Sequence, residues 1–175
     1  IGYEALIRWL RPDNTLVPPN RFIHVAESTG LIVPIGEWII LEACRFLARQ
    51  HSRGYAVSVS INLSVRQFND EQLTATIERI IQRTGVEPAY LVFEITESML
   101  MGDTDAAIKQ LNQLKRLGVS LSIDDFGTGY SSLNYLKRFP VDELKIDRSF
   151  VKDIPEDQND MDIVAAIIAM AQKMQ

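Results

Sequence analysis

The chain has 175 residues, 46% hydrophobic and 23% charged, and its 18 Lys+Arg against 23 Asp+Glu give a formal net charge of −5. This mixture excludes a disordered, collagenous or low-complexity chain, and the acidic balance excludes a non-specific binder of nucleic-acid polymers, which recruit positive surface. No apolar run reaches the roughly 18 residues of a membrane span. The single cysteine, Cys44, rules out an internal disulfide framework and suits a reducing compartment. The expected setting is cytoplasmic, without membrane contact in this segment.

In chain order, residues 2–8 read as a strand and 37–51 as a helix closed by Gly54. Residues 57–62 read as a strand, followed by a helix over 70–84 closed by Gly85. Residues 91–95 precede a helix over 104–117 closed by Gly118. A run at 121–124 leads through a glycine-rich turn into a helix over 131–138, and 143–147 precedes a last helix over 160–175. That helix carries Ile163, Val164, Ile167, Ile168, Ala171 and Met174 at helical spacing. Gly54, Gly85 and Gly118 lie 31 and 33 residues apart, the length of one βα unit. Asn69 or Asp70 caps the helix over 70–84, and Asp103 caps the next.

Five strands alternating with helices require a parallel sheet, because parallel strands need long crossovers. The polar residues choose between an open doubly wound sheet and a TIM-like (β/α)8 barrel. Alternation puts Glu4, Asn62, Glu94, Asp124 and Lys145 at the C-terminal ends of their strands and on one face. Ser60, Val92 and Ser122 share that face, and Val59, Ile61, Phe93, Ile95, Leu121 and Ile123 face the helices. Several successive strand ends feeding one rim is the way barrels build sites, whereas an open sheet gathers its site at a switch point. The expected fold is therefore α/β, an incomplete barrel covering about strands two to six.

Any one of these polar residues alone would read as a solvated carboxylate or a cap. Glu4, Glu94, Asp124 and Asp125 together are four anions that repel unless cations neutralise them, and Asn62 adds an amide oxygen. Oxygen-only ligation favours two Mg²⁺ or Mn²⁺ ions over zinc. Adjacent Asp124 and Asp125 would serve one metal each, the two-metal arrangement suited to phosphoester hydrolysis. Lys145 would orient the attacking water or neutralise phosphoryl charge. The stretch Asp125-Phe126-Gly127-Thr128-Gly129-Tyr130-Ser131-Ser132 lacks the third glycine of a dinucleotide fingerprint. It reads as an active-site loop.

Glu4-Ala5-Leu6, Asn62-Leu63-Ser64, Glu94-Ile95-Thr96-Glu97, Asp124-Asp125-Phe126-Gly127-Thr128-Gly129 and Lys145-Ile146-Asp147 occur in that order. With these motifs the chain closely resembles the EAL family of cyclic di-GMP phosphodiesterases over essentially its whole length. The resemblance implies bacterial second-messenger signalling, with hydrolysis of cyclic di-GMP to linear pGpG by two Mg²⁺ or Mn²⁺ ions. It implies Glu4, Asn62, Glu94, Asp124 and Asp125 as metal ligands and Lys145 on the hydrolytic water, with Glu4, Asp124 and Lys145 as the catalytic set. By the same resemblance Arg8 holds a substrate phosphate, Leu6 lines the nucleotide site, and Glu97 stabilises the loop after Asp125. The family also uses that loop in a homodimer, and often carries fused diguanylate-cyclase-type or sensory domains in a parent protein that is sometimes membrane-anchored.

Residue 1 is Ile, and the last helix has no closing glycine, so a partial domain over 1–175, cut at both ends, is expected. The family's Tyr-Gln-Pro and Ala-Glu-Gly-Val-Glu segments have no counterpart here, which implies weak activity for these residues alone. The alternatives are a non-catalytic cyclic di-GMP receptor, disfavoured by the complete carboxylate set, and a Schiff-base aldolase using Lys145. Cys44, Trp9 and Trp38 read as core or packing residues, and His24 and His51 as structural or surface groups. Lys109, Lys115 and Arg116 read as a solvated helix face.

Overall fold

The computed structural model describes residues 1–127 and 136–173. In chain order its main elements are β1 (Gly2–Ala5), β2 (Trp9–Leu10), β3 (Leu16–Val17), α1 (Ile23–Thr29), α2 (Ile32–His51), β4 (Ser58–Asn62), α3 (Val65–Phe68) and α4 (Leu73–Thr84). They continue with β5 (Leu91–Thr96), α5 (Thr104–Arg116), β6 (Ser120–Phe126), β7 (Glu143–Ile146) and α6 (Gln158–Gln172). The five main strands run in the order β1-β4-β5-β6-β7, and β2 pairs with β3 in a separate ribbon. Each main strand lies beside its predecessor. That is the order of consecutive strands in a (β/α)8 barrel, and it lacks the reversal of a doubly wound sheet. The fold is α/β, as the sequence predicts.

The chain divides into two compact units, Ile1–Phe93 with Gln113–Ser120, and Glu94–Asn112 with Leu121–Gln175.

In the first unit β1 pairs in parallel with β4, Glu4 opposite Ser60 and Ala5 opposite Ile61. Val59 and Ile61 are buried, as are Ile40, Ala43, Cys44 and Leu47 of α2 and Ile77 and Ile80 of α4. This core follows from period-two alternation on the strand and i, i+3, i+4 spacing on the helices. Three expectations need correction here. The first strand stops at Ala5 rather than residue 8, because Pro12-Asp13-Asn14 closes a turn that pairs β2 with β3. In it the Asn14 N–H donates to the Arg11 carbonyl at 2.9 Å, and Asn14 sits at φ 62°, which Asn tolerates well. Helix α2 begins at Ile32, not at residue 37, since Pro34 lies in its first turn, where an N–H has no intrahelical partner. Helix α4 begins at Leu73, and Asp70 instead takes the Gln72 N–H at 2.9 Å, one step ahead of the helix.

Gly36 explains why a helix-breaking residue stands inside α2. A Cβ there would lie 1.8 Å from Nε2 of Gln67, whose side chain packs on the helix. Gln67 in turn closes a capping box with Ser64 at the start of α3.

In the second unit β6 and β7 are parallel, with Ser122 opposite Glu143 and Ile123 opposite Leu144. The register then shifts, so that Phe126 stands opposite Ile146. Ile95, Leu100, Leu111, Leu121, Ile123 and Phe126 are buried. Asp103 caps α5 by accepting from the Ala106 N–H at 3.0 Å, as expected. Helix α6 starts two residues before the expected position, because Asp157 accepts from the Asn159 N–H at 2.8 Å and caps it. Most of the helix expected over 131–138, the loop from Thr128 to Ser132, and Met174 lie outside the described residues. Among the described residues, no helix is long and apolar enough to cross a membrane.

Candidate active site

In the first unit, Glu4 stands near the end of β1 and Asn62 ends β4. Nδ2 of Asn62 donates to Oε1 of Glu4 at 2.8 Å, and both residues are exposed. The amide therefore keeps its Oδ1, and the carboxylate its second oxygen, for other partners. Leu6 and Arg8 follow β1 directly; Leu6 is exposed, and Nη1 of Arg8 donates to the Ile7 carbonyl at 2.8 Å. Leu6, Arg8 and Asn62 line a cavity of about 270 Å³, while Glu4 lines a second of about 350 Å³ beside α2.

In the second unit, Glu94 of β5 has a completely buried side chain and forms an ion pair with Nζ of Lys145 on β7. Its Oε1 takes the lysine, and its Oε2 is buried without a hydrogen-bond partner among the described residues. A buried acceptor in that state costs free energy unless something electropositive meets it. Asp124 is half-buried on β6, and Asp125 is exposed at φ 53°, inside the register shift. Such an irregularity bends the strand and re-aims the side chain that a regular strand would send to the opposite face. Burial, and then the charges of Asp124 and Asp147 beside it, push the Asp125 carboxyl above its ordinary value; Lys145 pulls it down.

Asp147 belongs to this cluster, although sequence reading assigned it no role. Its carboxyl is held below the ordinary value by hydrogen bonds from the Ser149 hydroxyl and N–H. The signal was present in Asp147-Arg148-Ser149, an Asp accepting from the residue two positions on, which marks an Asx turn. Ser122, expected on the same face, has a hydroxyl that is buried without a partner among the described residues.

Glu97 is buried, and its Oε2 accepts from the Gly127 N–H at 2.9 Å, at the entry to the glycine-rich stretch. Gly127 has φ 101°, and a Cβ there would lie 2.9 Å from Cε2 of Phe150, so glycine is required on two grounds. Among the described residues, no group of three or more His, Cys, Asp or Glu side chains is drawn together closely enough to hold a metal ion unaided. The available donors are carboxylate and amide oxygens, and the orphaned Oε2 of Glu94 is a buried acceptor of the kind a hard cation satisfies.

The remaining candidates fall away. Cys44 is buried beside Thr84, and burial pushes its thiol up to about 11. His51 sits 2.9 Å from the Val57 carbonyl through Nε2 and edge-on to Tyr90, while His24 is exposed, so neither joins a nucleophile triad. Trp9 and Trp38 are half exposed; Trp9 packs edge-on against Phe22, as expected of a packing residue, and Trp38 lines the larger cavity. Lys109 and Arg116 are exposed as expected, and Lys115 donates to the Val119 carbonyl at 3.2 Å. Lys145, held against a buried carboxylate, is not the free amine a Schiff-base aldolase requires.

The bifunctional diguanylate cyclase/cyclic di-GMP phosphodiesterase MucR of Pseudomonas aeruginosa is 47% identical over 175 residues, covering 99% of this chain and 26% of that protein. The cyclic di-GMP phosphodiesterase NbdA of the same organism is 46% identical over 172 residues, covering 98% of this chain and 22% of that protein. The chain thus spans about a quarter of the length of these curated relatives. A solved complex of the PaMucR phosphodiesterase with c-di-GMP superposes with a TM-score of 0.93 at 46% identity, over 98% of this chain and 70% of that one. The EAL domain model matches residues 1–175 from end to end, and the chain belongs to the EAL domain family.

Proposed function

We propose that this chain is the catalytic part of a metal-dependent phosphodiesterase that hydrolyses cyclic di-GMP to linear pGpG. The observation that carries the reading is Glu94: a fully buried carboxylate with one oxygen neutralised by Lys145 and the other without a partner among the described residues. A site that only packed would not bury a charge half-satisfied, because each such group costs several kcal/mol. Support comes from relatives described as cyclic di-GMP phosphodiesterases.

In this reading Glu4, Asn62, Glu94, Asp124 and Asp125 hold two Mg²⁺ or Mn²⁺ ions. When bound, the ions supply Lewis-acid polarisation of the phosphodiester and a more acidic water. Glu4 presents its free carboxylate oxygen and Asn62 its Oδ1, each already oriented by the hydrogen bond between them. Arg8 holds a substrate phosphate through its guanidinium, of which only one Nη1 donor is engaged by the backbone. Lys145 presents an ammonium fixed in direction by Glu94, positioned to orient the attacking water and offset charge on the phosphoryl oxygens. Water adds at phosphorus, one phosphorus–ribose oxygen bond breaks, and the leaving oxygen takes a proton, so the ring opens to pGpG. Glu97, through Gly127, fixes the start of the loop after Asp125, the segment through which a homodimer would form. Fused cyclase-type or sensory domains in a parent protein complete the proposal.

The test is to incubate the purified chain with cyclic di-GMP and Mn²⁺ and resolve the nucleotides chromatographically. The expected product is pGpG, formed slowly by these residues alone, and abolished by EDTA and by Glu94→Gln. Calorimetric binding with Ca²⁺, with no turnover in Mn²⁺, would instead make the chain a receptor. Neither binding nor turnover by the folded chain would overturn the reading.

A further inference from the structure

Asn62 reaches Glu4 from the very end of β4, and the register of that strand with β1 stops at Ala5 opposite Ile61, one residue short of it. On that side the sheet does not aim Asn62, and the residues after it do. Leu63 is buried, and Ser64 opens the single turn of α3 in an extended conformation, φ −83° and ψ 158°. The side-chain amide of Gln67 holds this turn closed. Its Oε1 accepts from the Ser64 N–H at 3.2 Å and from the Ser64 hydroxyl at 3.0 Å, while the Gln67 N–H donates to Ser64 Oγ at 3.2 Å. Only 5% of Gln67 is exposed, so water competes little for these bonds.

Helix α2 supplies the seat for that amide. A Cβ on Gly36 would lie 1.8 Å from Nε2, 2.4 Å from Cδ and 2.9 Å from Oε1 of Gln67, so the whole group lies against bare helix backbone. The preceding residue is anchored in the same manner. Arg66 Nη1 donates to the Glu27 carbonyl at 2.9 Å, and a Cβ on Gly30, at φ 84°, would lie 3.1 Å from Arg66 Nη2. Two glycines, one closing α1 and one inside α2, thus receive two consecutive side chains of one helical turn. A connection that only led from β4 to α4 needs no such double anchorage. The Asn62–Glu4 bond, by contrast, joins two exposed side chains that water can reach, so a fixed backbone is what keeps the Asn62 amide aimed. Building on the function proposed above, we infer that Gln67 is a positioning residue: seated on Gly36 and bonded to Ser64, it fixes the direction in which Asn62 leaves β4 and meets Glu4. Gln67 acts through Ser64 and touches neither substrate nor metal.

The experiment compares the wild-type chain with Gln67→Ala and Gln67→Met by nitrogen–proton correlation spectra, thermal melts and steady-state turnover of cyclic di-GMP in Mn²⁺. The Asn62 side-chain amide signals, assigned by their loss in Asn62→Ala, should show one proton moved downfield by the Glu4 carboxylate in the wild type. Both Gln67 variants should return that proton to the position of a free asparagine and lower kcat about tenfold with KM little changed. Methionine fills the seat on Gly36 but offers Ser64 no amide oxygen. It should therefore recover most of the melting temperature lost in Gln67→Ala while recovering neither the signal nor kcat. A methionine variant with the wild-type signal and kcat overturns the assignment, since filling space would then be enough. A folded Gln67→Ala whose Asn62 signal stays put, while the wild type hydrolyses cyclic di-GMP, also overturns it and leaves the proposed function standing. A wild type that hydrolyses nothing, but whose Asn62 signal still moves with Gln67, overturns the proposed function and supports the link from Gln67 to Asn62. If Gln67→Ala does not fold, Gln67→Met decides the matter alone.

Discussion

Lys145 reaches from β7 to a carboxylate on β5, Glu94, that has no solvent-exposed side-chain surface, while 31% of its own side chain stays open. The pair is therefore asymmetric: removing the lysine strands a charge that water cannot reach, whereas removing the acid leaves a lysine that water can still solvate. Lys145→Met should lower the unfolding free energy by about 3 kcal/mol, Glu94→Gln by less, and the double variant by less than the sum. Urea denaturation followed by circular dichroism measures all three. Equal losses in the two single variants would show that the pair is not held in this asymmetric burial. Mn²⁺ should restore part of the Lys145→Met loss, since a second cation at Glu94 replaces the missing one.

Asn62 and Glu4 make the opposite case. Their hydrogen bond at 2.8 Å lies between exposed side chains, so little stability depends on it. Asn62→Ala should shift the unfolding free energy by no more than about 0.5 kcal/mol, yet reduce Mn²⁺-dependent turnover of cyclic di-GMP at least tenfold. Stability comes from denaturation and turnover from product chromatography. A large stability loss would make the pair a structural bond rather than a liganding one.

The contrast shows what a sequence reader can see. Val59 and Ile61, Phe93 and Ile95, and Leu121 and Ile123 alternate with polar neighbours, and period two alone assigns them to the buried face they occupy. The same alternation puts Glu94 and Lys145 on one face, but that they pair, and that only the acid is sealed from water, depends on packing that no spacing encodes. Asp125 is harder still, because a single residue at φ 53° breaks the alternation that would place it. The ribbon of β2 and β3 escaped because each strand is two residues long, below the window in which periodicity can be read. Pro34 and Gly36 hid the first turn of α2: both read as breakers, one tolerated at a helix start, the other demanded by Gln67.

Gly127 tests whether the start of the loop is as constrained as its backbone implies. At φ 101° any L side chain is strained, and here the added methyl would also press on Phe150. Gly127→Ala should cost about 2 kcal/mol, and pairing it with Phe150→Ala should recover the steric part but not the backbone part. A double-mutant cycle from thermal or urea melts separates them, with a coupling above about 0.5 kcal/mol expected for residues in contact. Additive losses would mean that the ring moves aside freely. Glu97→Ala should add to the backbone part, because it leaves the Gly127 N–H without the acceptor that holds it at 2.9 Å.

Cys44 carries a pH dependence whose sign can be worked out in advance. Burial raises its thiol from an ordinary 9.0 to about 11, so in the unfolded chain the thiol loses its proton first. Below about pH 9 both states are protonated, and the group leaves stability unchanged with pH. Between about 9 and 11 the unfolded state is favoured by ionisation that the folded state resists, and stability falls as pH rises. Cys44→Ala should remove that component of the decline at the expense of some packing, because the sulfur fills a site with no exposure. A thiol reagent gives an independent reading: at pH 8 the native chain should react far more slowly than the same chain in denaturant, since reaction needs a thiolate that burial withholds. Fast native labelling would place Cys44 at a surface rather than in the core between α2 and α4.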